Sequence, residues 1–264
     1  ALAKAPEDSQ LIADVADTRS WLASALTSLG DIDTAIKFQE ETQDQLLNSP
    51  NQNDAYMRDR LASTLGRLAE LLEYKGDLVS GLDKLLLAQN IIEKSLALDS
   101  ENEVWKRDLF HVRTKIFHLN SLVNDFRVKE TSQSLLDTLD TEFNSTSEVK
   151  REYLRANALL AIANKNISNH EISQNHEEIA ESNVIFIKLT NKFPDEKDYL
   201  IGLVKTNLTI AKINFAMGNK NANFELCNTA NKLLQPLIEK DKNPQIIKPY
   251  LESEDCLEKI KPNK

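Results

Sequence analysis

Apolar residues recur along this chain with the spacing of helices that each bury one face. Long segments of this kind alternate with short breaks, and strictly alternating β-branched runs are absent from the sequence. Five breaks hold a residue that can end one helix and start the next, at intervals of 46, 48, 46 and 48 residues: Gly30, Gly76, Asn124, His170 and Gly218. Such a period predicts a stacked array of helix–turn–helix units, each too small to bury its own apolar face.

Positions counted back from these five turn residues agree from unit to unit. The eighth position is large and aliphatic throughout: Leu22, Leu68, Ile116, Ile162 and Ile210. The seventh and fourteenth positions are small or apolar: Ala23, Ala69, Phe117, Ala163, Ala211, and Ala16, Ala62, Phe110, Ala156, Val204. A large aliphatic residue beside a mostly small one lets neighbouring helices approach closely, so these positions predict the packing seam of the first helix in each unit.

The pattern predicts an all-α chain that forms one solenoid domain. Helices are expected at about residues 7–29, 32–48, 52–75, 78–98, 102–122, 126–143, 147–167, 172–193, 196–217, 221–240 and 245–260. They group into repeats at about 7–50, 51–100, 101–145, 146–194 and 195–243, followed by a C-terminal helix at 245–260. Gly and Asn favour the left-handed conformation that closes a helix, whereas His170 fits less well and Asn169 beside it is the better candidate.

The first residues of the chain look like the end of another repeat. The segment Lys4 to Asp8 matches Lys192 to Glu196, and Pro6 and Pro194 each stand 24 residues before a turn glycine. We therefore expect the chain to open inside the second helix of a preceding repeat and to belong to a longer protein.

Charge and hydropathy narrow the class of partner. The 32 Lys and Arg residues are outnumbered by 41 Asp and Glu, which gives a net charge of −9 and argues against nucleic acid as a partner. No apolar run approaches the roughly 18 residues needed to cross a bilayer, so direct membrane insertion is not expected. Neither observation decides between the cytoplasm and a periplasmic location in a membrane-anchored parent protein.

Motifs for catalysis, cofactors and metals are absent from the sequence. It holds no glycine-rich phosphate loop, GxSxG, HExxH or DxDxDG, so no enzyme activity and no cofactor are predicted. His111 and His118 lie two helical turns apart, about 10 Å, which is too far for one metal ion. Cys227 and Cys256 fall in different helices without a CxxC or Cys/His cluster, so two separate thiols are expected rather than a disulfide or a zinc site.

Two further positions of the first helices are polar in every unit. The sixth position before the turn holds Ser24, Glu70, His118, Asn164 and Lys212, and the thirteenth holds Asp17, Ser63, His111, Asn157 and Lys205. Residues seven apart share one helix face, here beside the packing seam. These ten side chains form either a ligand-facing stripe that runs from acidic through neutral to basic, or an ordinary solvated face.

Aromatic residues recur near the start of the first helices. Tyr56, Trp105, Tyr153 and Tyr199 are 49, 48 and 46 residues apart. They either wedge successive repeats together or offer an aromatic rim to a ligand, and packing is the favoured interpretation.

Several of these residues follow the order of a tetratricopeptide repeat. The matching series are Leu22-Ala23, Gly30-Asp31, Ile32, Ala35, Pro50 and Leu68-Ala69, Gly76-Asp77, Leu78, Gly81. The chain resembles this family along nearly its whole length, in the long-repeat form found in bacterial multidomain proteins, although the match weakens after residue 123. The resemblance implies a right-handed α-solenoid whose first helices line a concave peptide-binding groove.

The resemblance also implies a function and a set of ligand residues. It predicts a noncatalytic scaffold that binds a peptide or partner protein in this groove. The candidate contact residues are Ser63, Glu70, His111, His118, Asn157, Asn164, Lys205 and Lys212. Two alternatives stay open: a regulatory or sensory region of a larger signalling enzyme or transcription regulator, and self-association as a homodimer through the final helix around Pro249 to Cys256.

Overall fold

A computed structural model describes residues 9–50, 54–123, 131–143, 147–169, 176–219 and 223–260. These residues form eleven α-helices and no strand. Ten helices begin and end within about four residues of their predicted bounds, and the sixth, predicted at 126–143, is described at Ser132–Glu142 because residues 124–130 lie outside the described part of the chain. The prediction of an all-α helical-repeat array with a C-terminal helix is confirmed. The chain divides into two compact units, Ala1–Val128 and Lys129–Lys264. Among the described helices, none is long and apolar enough to cross a membrane.

The first unit contains five helices. They are α1 (Ser9–Leu29), α2 (Ile32–Leu47), α3 (Ala55–Lys75), α4 (Leu78–Leu96) and α5 (Glu103–Val123). Each helix packs against the next one in the chain, and α1 also packs against α3. The first helices of successive repeats therefore lie side by side in this unit, as a stacked array requires.

A Gly-Asp pair lies between α1 and α2 and another between α3 and α4, where each ends one helix and begins the next. Gly30 and Gly76 adopt φ of 83° and 85°, a left-handed conformation that glycine enters without strain. The amide of Asp77 donates to the carbonyl of Leu72 at 2.9 Å, which satisfies a carbonyl at the end of α3. The carboxylate of Asp77 then accepts from the amide of Ser80 and caps α4. Asn124 and His170 lie outside the described residues, whereas Gly218 has φ of 79° as expected.

The eighth position of the predicted seam is buried in α3 and α5, where a preceding second helix covers it. Leu68 is fully buried beside Ala35 and Ile36 of α2, and Ile116 is buried among residues of α4. Leu22 occupies the same position in α1, yet 43% of its surface is exposed. The eighth position therefore faces the preceding repeat, and no helix precedes α1 in the part of the chain that the structure describes. Ala16 and Ala23, the other seam residues of α1, are buried against later helices of the unit.

The second unit contains six helices. They are α6 (Ser132–Glu142), α7 (Glu148–Ser168), α8 (His176–Lys192), α9 (Lys197–Ala216), α10 (Asn223–Ile238) and α11 (Pro244–Ile260). Each packs against the next, and α9 also contacts α7 and α11. Ala156, Ile162, Ala163 and Val204 are buried in this unit as the seam predicted. Its core includes the fully buried ring of Phe186.

One close approach in the second unit has no counterpart among the sequence predictions. Gly202 of α9 lies so near the ring of Phe186 in α8 that an added Cβ would overlap the ring. The missing side chain brings the backbone of α9 against an aromatic group that is fully buried. A glycine in the middle of a helix is normally unfavourable, so packing explains its presence here.

The expectation of two separate thiols was wrong. Cys227 of α10 and Cys256 of α11 form a disulfide, with their Cα atoms 6.0 Å apart and 29 residues apart in sequence. Both are buried in a cluster with Ala211, and Phe215 and Leu257 pack against it. The pairing depends on how α10 and α11 face each other, which a spacing of 29 residues does not reveal.

Candidate functional site

The ten predicted groove residues lie on the first helices of both units. Those of the first unit are Asp17 and Ser24 on α1, Ser63 and Glu70 on α3, and His111 and His118 on α5. Those of the second unit are Asn157 and Asn164 on α7, and Lys205 and Lys212 on α9. The structure gives each a definite set of neighbours, and most of those neighbours are on an adjacent first helix.

Ser24 and Glu70, at the sixth position before the turn, each bond to the first helix of the following repeat. In the first unit, Arg67 of α3 donates to the hydroxyl of Ser24 at 2.8 Å, and Lys115 of α5 donates to the carboxylate of Glu70 at 2.6 Å. Both donors stand at the ninth position before their own turn residue. These bonds cross-link neighbouring first helices along the polar face.

The same arrangement recurs in the second unit. The hydroxyl of Thr209, again a ninth-position residue, donates to the side-chain oxygen of Asn164 at 3.2 Å. Lys212 donates to Glu252 of α11 at 2.8 Å. Asn164 and Lys212 thus hold adjacent helices together whether or not they also contact a ligand.

Arg60 makes the most elaborate of these links. Its guanidinium forms two contacts with the carboxylate of Asp17, at 2.8 and 3.1 Å, and donates to the hydroxyl of Tyr56 at 2.9 Å. The guanidinium also lies 4.4 Å from the centre of the Tyr56 ring. Two parallel contacts between an Arg side chain and a carboxylate pair their charges and also set the relative orientation of the two groups.

The other predicted residues vary in how strongly they are held. His118 lies 3.5 Å from the carboxylate of Glu73 on α3. The amide of Asn157 donates to the carbonyl of Tyr153 in its own helix at 2.8 Å. Ser63 and Lys205 are exposed.

An open cavity of about 200 Å³ lies between α3 and α5, with α4 behind it. Its walls combine apolar and polar side chains, and two of the predicted residues, Ser63 and His111, line it. The lining consists of Arg58, Asp59, Ala62, Ser63, Gly66, Ile91, Ile92, Ser95, Trp105, Asp108, His111 and Val112. For comparison, an apolar cavity of about 150 Å³ holds a benzene molecule, so this one has room for a single large side chain.

The pKa values of His111 and Asp59, two of the lining residues, are shifted toward the neutral form of each group. Burial lowers the pKa of His111 to about 4, and the positive charges of Lys115 and Arg107 act in the same direction. His111 is therefore an uncharged imidazole at neutral pH. Burial also raises the pKa of Asp59, opposed by the nearby charge of Arg60.

A second hollow of about 200 Å³ lies between α1 and α3. Polar side chains line most of it, including Asp17, Ser20, Arg60 and Arg67, and Trp21 stands at its edge. Ser63 lines both hollows, so they lie on the two sides of α3. The polar face of the first unit is thus a pair of adjacent depressions.

The recurring aromatic residues take different roles in the two units. Trp105 is half-buried and lines the cavity beside α3, and Tyr56 is 39% exposed beneath Arg60. Tyr153 and Tyr199 pack against each other with ring centres 5.3 Å apart. Trp105 also packs against the core of the first unit, so packing describes Trp105, Tyr153 and Tyr199, and Tyr56 is the exposed member of the series.

The face is suited to recognition by hydrogen bonds, charge and apolar contact. In the described ranges, no group of three or more His, Cys, Asp or Glu is placed to hold a metal ion. Sequence reasoning located the face but missed Arg60, Arg67 and Lys115. Arg67 and Lys115 both stand nine residues before a turn residue, and this shared spacing was the available signal for them; Arg60, sixteen residues before Gly76, had no such signal.

Comparison with known proteins adds little to this description. No family model matches the chain, and no curated protein matches it. A solved structure of a tetratricopeptide repeat protein from Parabacteroides merdae ATCC 43184 is 13% identical, covering 91% of this chain and 99% of that chain, with a TM-score of 0.25. So low a TM-score carries no argument, and the helical-repeat assignment therefore rests on the helices and contacts described above.

Proposed function

We propose that the chain is a noncatalytic interaction scaffold that binds an extended peptide or a segment of a partner protein along the first-helix face. The cavity between α3 and α5 is the observation that carries this proposal. It combines apolar walls from Ile91, Ile92 and Val112 with the polar groups of Ser63 and His111. A concave site of mainly apolar surface with a few convergent polar groups is the usual form of a recognition pocket.

The cross-links between first helices support the same function. A bound peptide loses conformational freedom, and a rigid surface reduces the further cost of ordering the protein. Arg60 with Asp17, and Lys115 with Glu70, hold α1, α3 and α5 in a fixed arrangement before any ligand arrives. In this proposal one ligand side chain enters the cavity, and neighbouring ligand groups contact Ser63, His111 and the exposed ring of Tyr56.

Gly66 allows a direct test, because it lines the cavity from the middle of α3. A Cβ added there meets nothing within 4 Å, so the helix accepts a side chain at this position. Gly66→Leu fills the cavity, whereas Gly66→Ala leaves most of it open and serves as the matched control. Both variants gain helix propensity, so neither is expected to unfold the protein.

The measurement uses a displayed library of random peptides selected on the wild-type protein. The affinity of a selected peptide for the three proteins is then measured by fluorescence polarisation. We expect Gly66→Leu to weaken binding at least about tenfold and Gly66→Ala to change it by less than about twofold. Failure to select any peptide, or selected peptides that bind Gly66→Leu normally, would contradict the proposal.

The second unit is tested best at Lys205. Its side chain is exposed on the predicted groove face, so Lys205→Ala removes a ligand contact with little effect on the fold. Asn164 and Lys212 are poorer choices, since each bonds to a neighbouring helix. A selected peptide whose binding Lys205→Ala weakens would give the second unit a site of its own, and a set of peptides that all bind this variant normally would limit the proposal to the first unit.

A further inference from the structure

Arg58 differs from the other charged residues that line the cavity between α3 and α5. Asp59 forms an ion pair with Arg60 at 3.1 Å, and Asp108 forms one with Arg107 at 3.0 Å. Arg58 makes no ion pair and no side-chain hydrogen bond with any residue that the structure describes. Among the charged side chains of the cavity wall, its guanidinium is therefore the one that no neighbour neutralises.

The guanidinium of Arg58 is partly buried at the cavity without a counter-ion. Its Nε atom is buried and lacks an acceptor, whereas its two terminal nitrogens stay accessible. A carboxylate that reaches the terminal nitrogens can accept two parallel N–H bonds, the strongest arrangement that arginine offers to an anion. Partial burial strengthens such a pair, because water and salt screen it less than a pair on an open surface.

Gly66 indicates that the space in this cavity is left open for an occupant. It lies eight residues after Arg58 on α3 and lines the same cavity. A glycine in the middle of a helix is unfavourable, and a Cβ at this position would meet nothing within 4 Å. Packing within the chain therefore does not explain Gly66, in contrast to Gly202. A ligand side chain that needs the room does explain it.

The other walls suit a side chain that ends in a carboxylate. Ile91, Ile92 and Val112 offer apolar contact to methylene groups, and Ser63 adds an exposed hydroxyl. His111 is uncharged at neutral pH, so it can form a hydrogen bond but adds no charge. The charge that a ligand meets in the cavity is thus decided by Arg58.

Other classes of ligand side chain fit this cavity less well. A basic side chain would meet the charge of Arg58, while the carboxylates of Asp59 and Asp108 are already paired. An apolar side chain would cover the terminal nitrogens of Arg58 without supplying an acceptor, and a charge that loses water without gaining a partner is unfavourable. The cavity therefore discriminates between ligands by the group that each presents to Arg58.

We propose that the cavity between α3 and α5 recognises an acidic side chain of the ligand, Asp or Glu, whose carboxylate pairs with Arg58. This inference rests on the proposed function, because it names the class of the one side chain that enters the cavity. The chain has a net charge of −9 and repels a generally acidic peptide. We therefore expect one acidic position in the ligand, with no preference for acidic residues on either side of it.

Peptides selected on the wild-type protein test this proposal. Their sequences should share one acidic position, and the corresponding amide, Asn or Gln, should weaken binding at least about tenfold. Arg58→Met removes the charge but keeps most of the apolar stem, and it should weaken binding of the acidic peptide by a similar factor. Lys94→Met is the matched control, because it removes one positive charge from an exposed residue of α4 that does not line the cavity. It should change the affinity by less than about twofold.

A double-mutant cycle shows whether the carboxylate pairs with Arg58 itself. If it does, Arg58→Met should bind the acidic peptide and its amide form with about equal affinity, so that the two losses do not add. Each peptide is also made with a free and with an amidated C-terminus. These two forms should bind equally, which distinguishes a side-chain carboxylate from a terminal one. Circular dichroism of each variant confirms that the helices are intact.

The outcomes separate this proposal from the proposed function. Peptides that Gly66→Leu weakens, but that share no acidic position or bind Arg58→Met normally, would overturn the pairing with Arg58 and leave the scaffold function standing. Additive losses in the cycle, or binding of the free C-terminal form alone, would also overturn the pairing. If no peptide is selected, or if Gly66→Leu binds all of them normally, both proposals fail.

Discussion

The disulfide between α10 and α11 is expected to supply a large share of the stability of the second unit. Cys227 and Cys256 enclose a loop of about 30 residues, from their separation of 29. The entropy that such a link removes from the unfolded chain is about 12 cal/mol/K, which corresponds to about 3.6 kcal/mol at 25 °C. Because α11 is the last described helix, the link also ties it to a helix that packs deeper in the unit.

Urea unfolding with and without a reducing agent measures this contribution. We expect reduction to lower the free energy of unfolding of the second unit by about 3 to 4 kcal/mol, seen as an earlier transition in far-ultraviolet circular dichroism. Both tryptophans, Trp21 and Trp105, belong to the first unit, so their fluorescence follows that unit separately. The double variant Cys227→Ala, Cys256→Ala serves as the control, since its unfolding should not respond to the reducing agent.

Two observations would refute this reasoning. Titration of the denatured protein for free thiols, without reducing agent, should find none if the bond forms in solution. Two free thiols per chain would show that the cysteines are not paired. A change below about 1 kcal/mol on reduction of a fully oxidised sample would show that the loop estimate does not apply to this chain.

Three further predictions concern single residues. Gly76→Ala should destabilise the first unit by about 1 to 2 kcal/mol in urea unfolding, since Gly76 has φ of 85°. Gly66→Ala, in the middle of the same helix, should instead stabilise it by up to about 1 kcal/mol, and equal effects of the two changes would contradict this. Gly202→Ala should destabilise the second unit by about 1 to 3 kcal/mol, because its Cβ would overlap the ring of Phe186, and the companion change Phe186→Leu should restore part of that loss. The pKa of His111 is lowered to about 4, so the unfolded chain binds a proton at a higher pH than the folded chain. Stability should therefore fall as the pH drops from about 6.5 to about 4, by at most about 3 kcal/mol, and His111→Gln should flatten that part of the curve.

The periodicity of the sequence predicted the helices well because it reports which residues face the core. Gly30 and Gly76 could be identified as turn residues, since a left-handed helix end strongly favours glycine. The same logic placed Leu68 and Ile116 in the seam. It failed for Leu22, because a repeated pattern implies burial at every copy, while no helix precedes α1 among the described residues.

Features that depend on the rotation of one helix relative to another could not be predicted in this way. The contact of Gly202 with Phe186 and the pairing of Cys227 with Cys256 both join residues of different helices at distances that no period specifies. The ten polar residues lie on the first helices as the spacing predicted, yet the sequence did not indicate which of their side chains bond to a neighbour. Whether Ser63, His111 and Lys205 contact a ligand stays a prediction.

The bonds between first helices have a consequence for how the polar face can change during evolution. Glu70 pairs with Lys115 of the next first helix, 45 residues away, and Asp17 pairs with Arg60, 43 residues away. A substitution of Glu70 leaves Lys115 without this carboxylate, and a second substitution one repeat along would restore a link. Related sequences should therefore vary at these positions in pairs about one repeat apart.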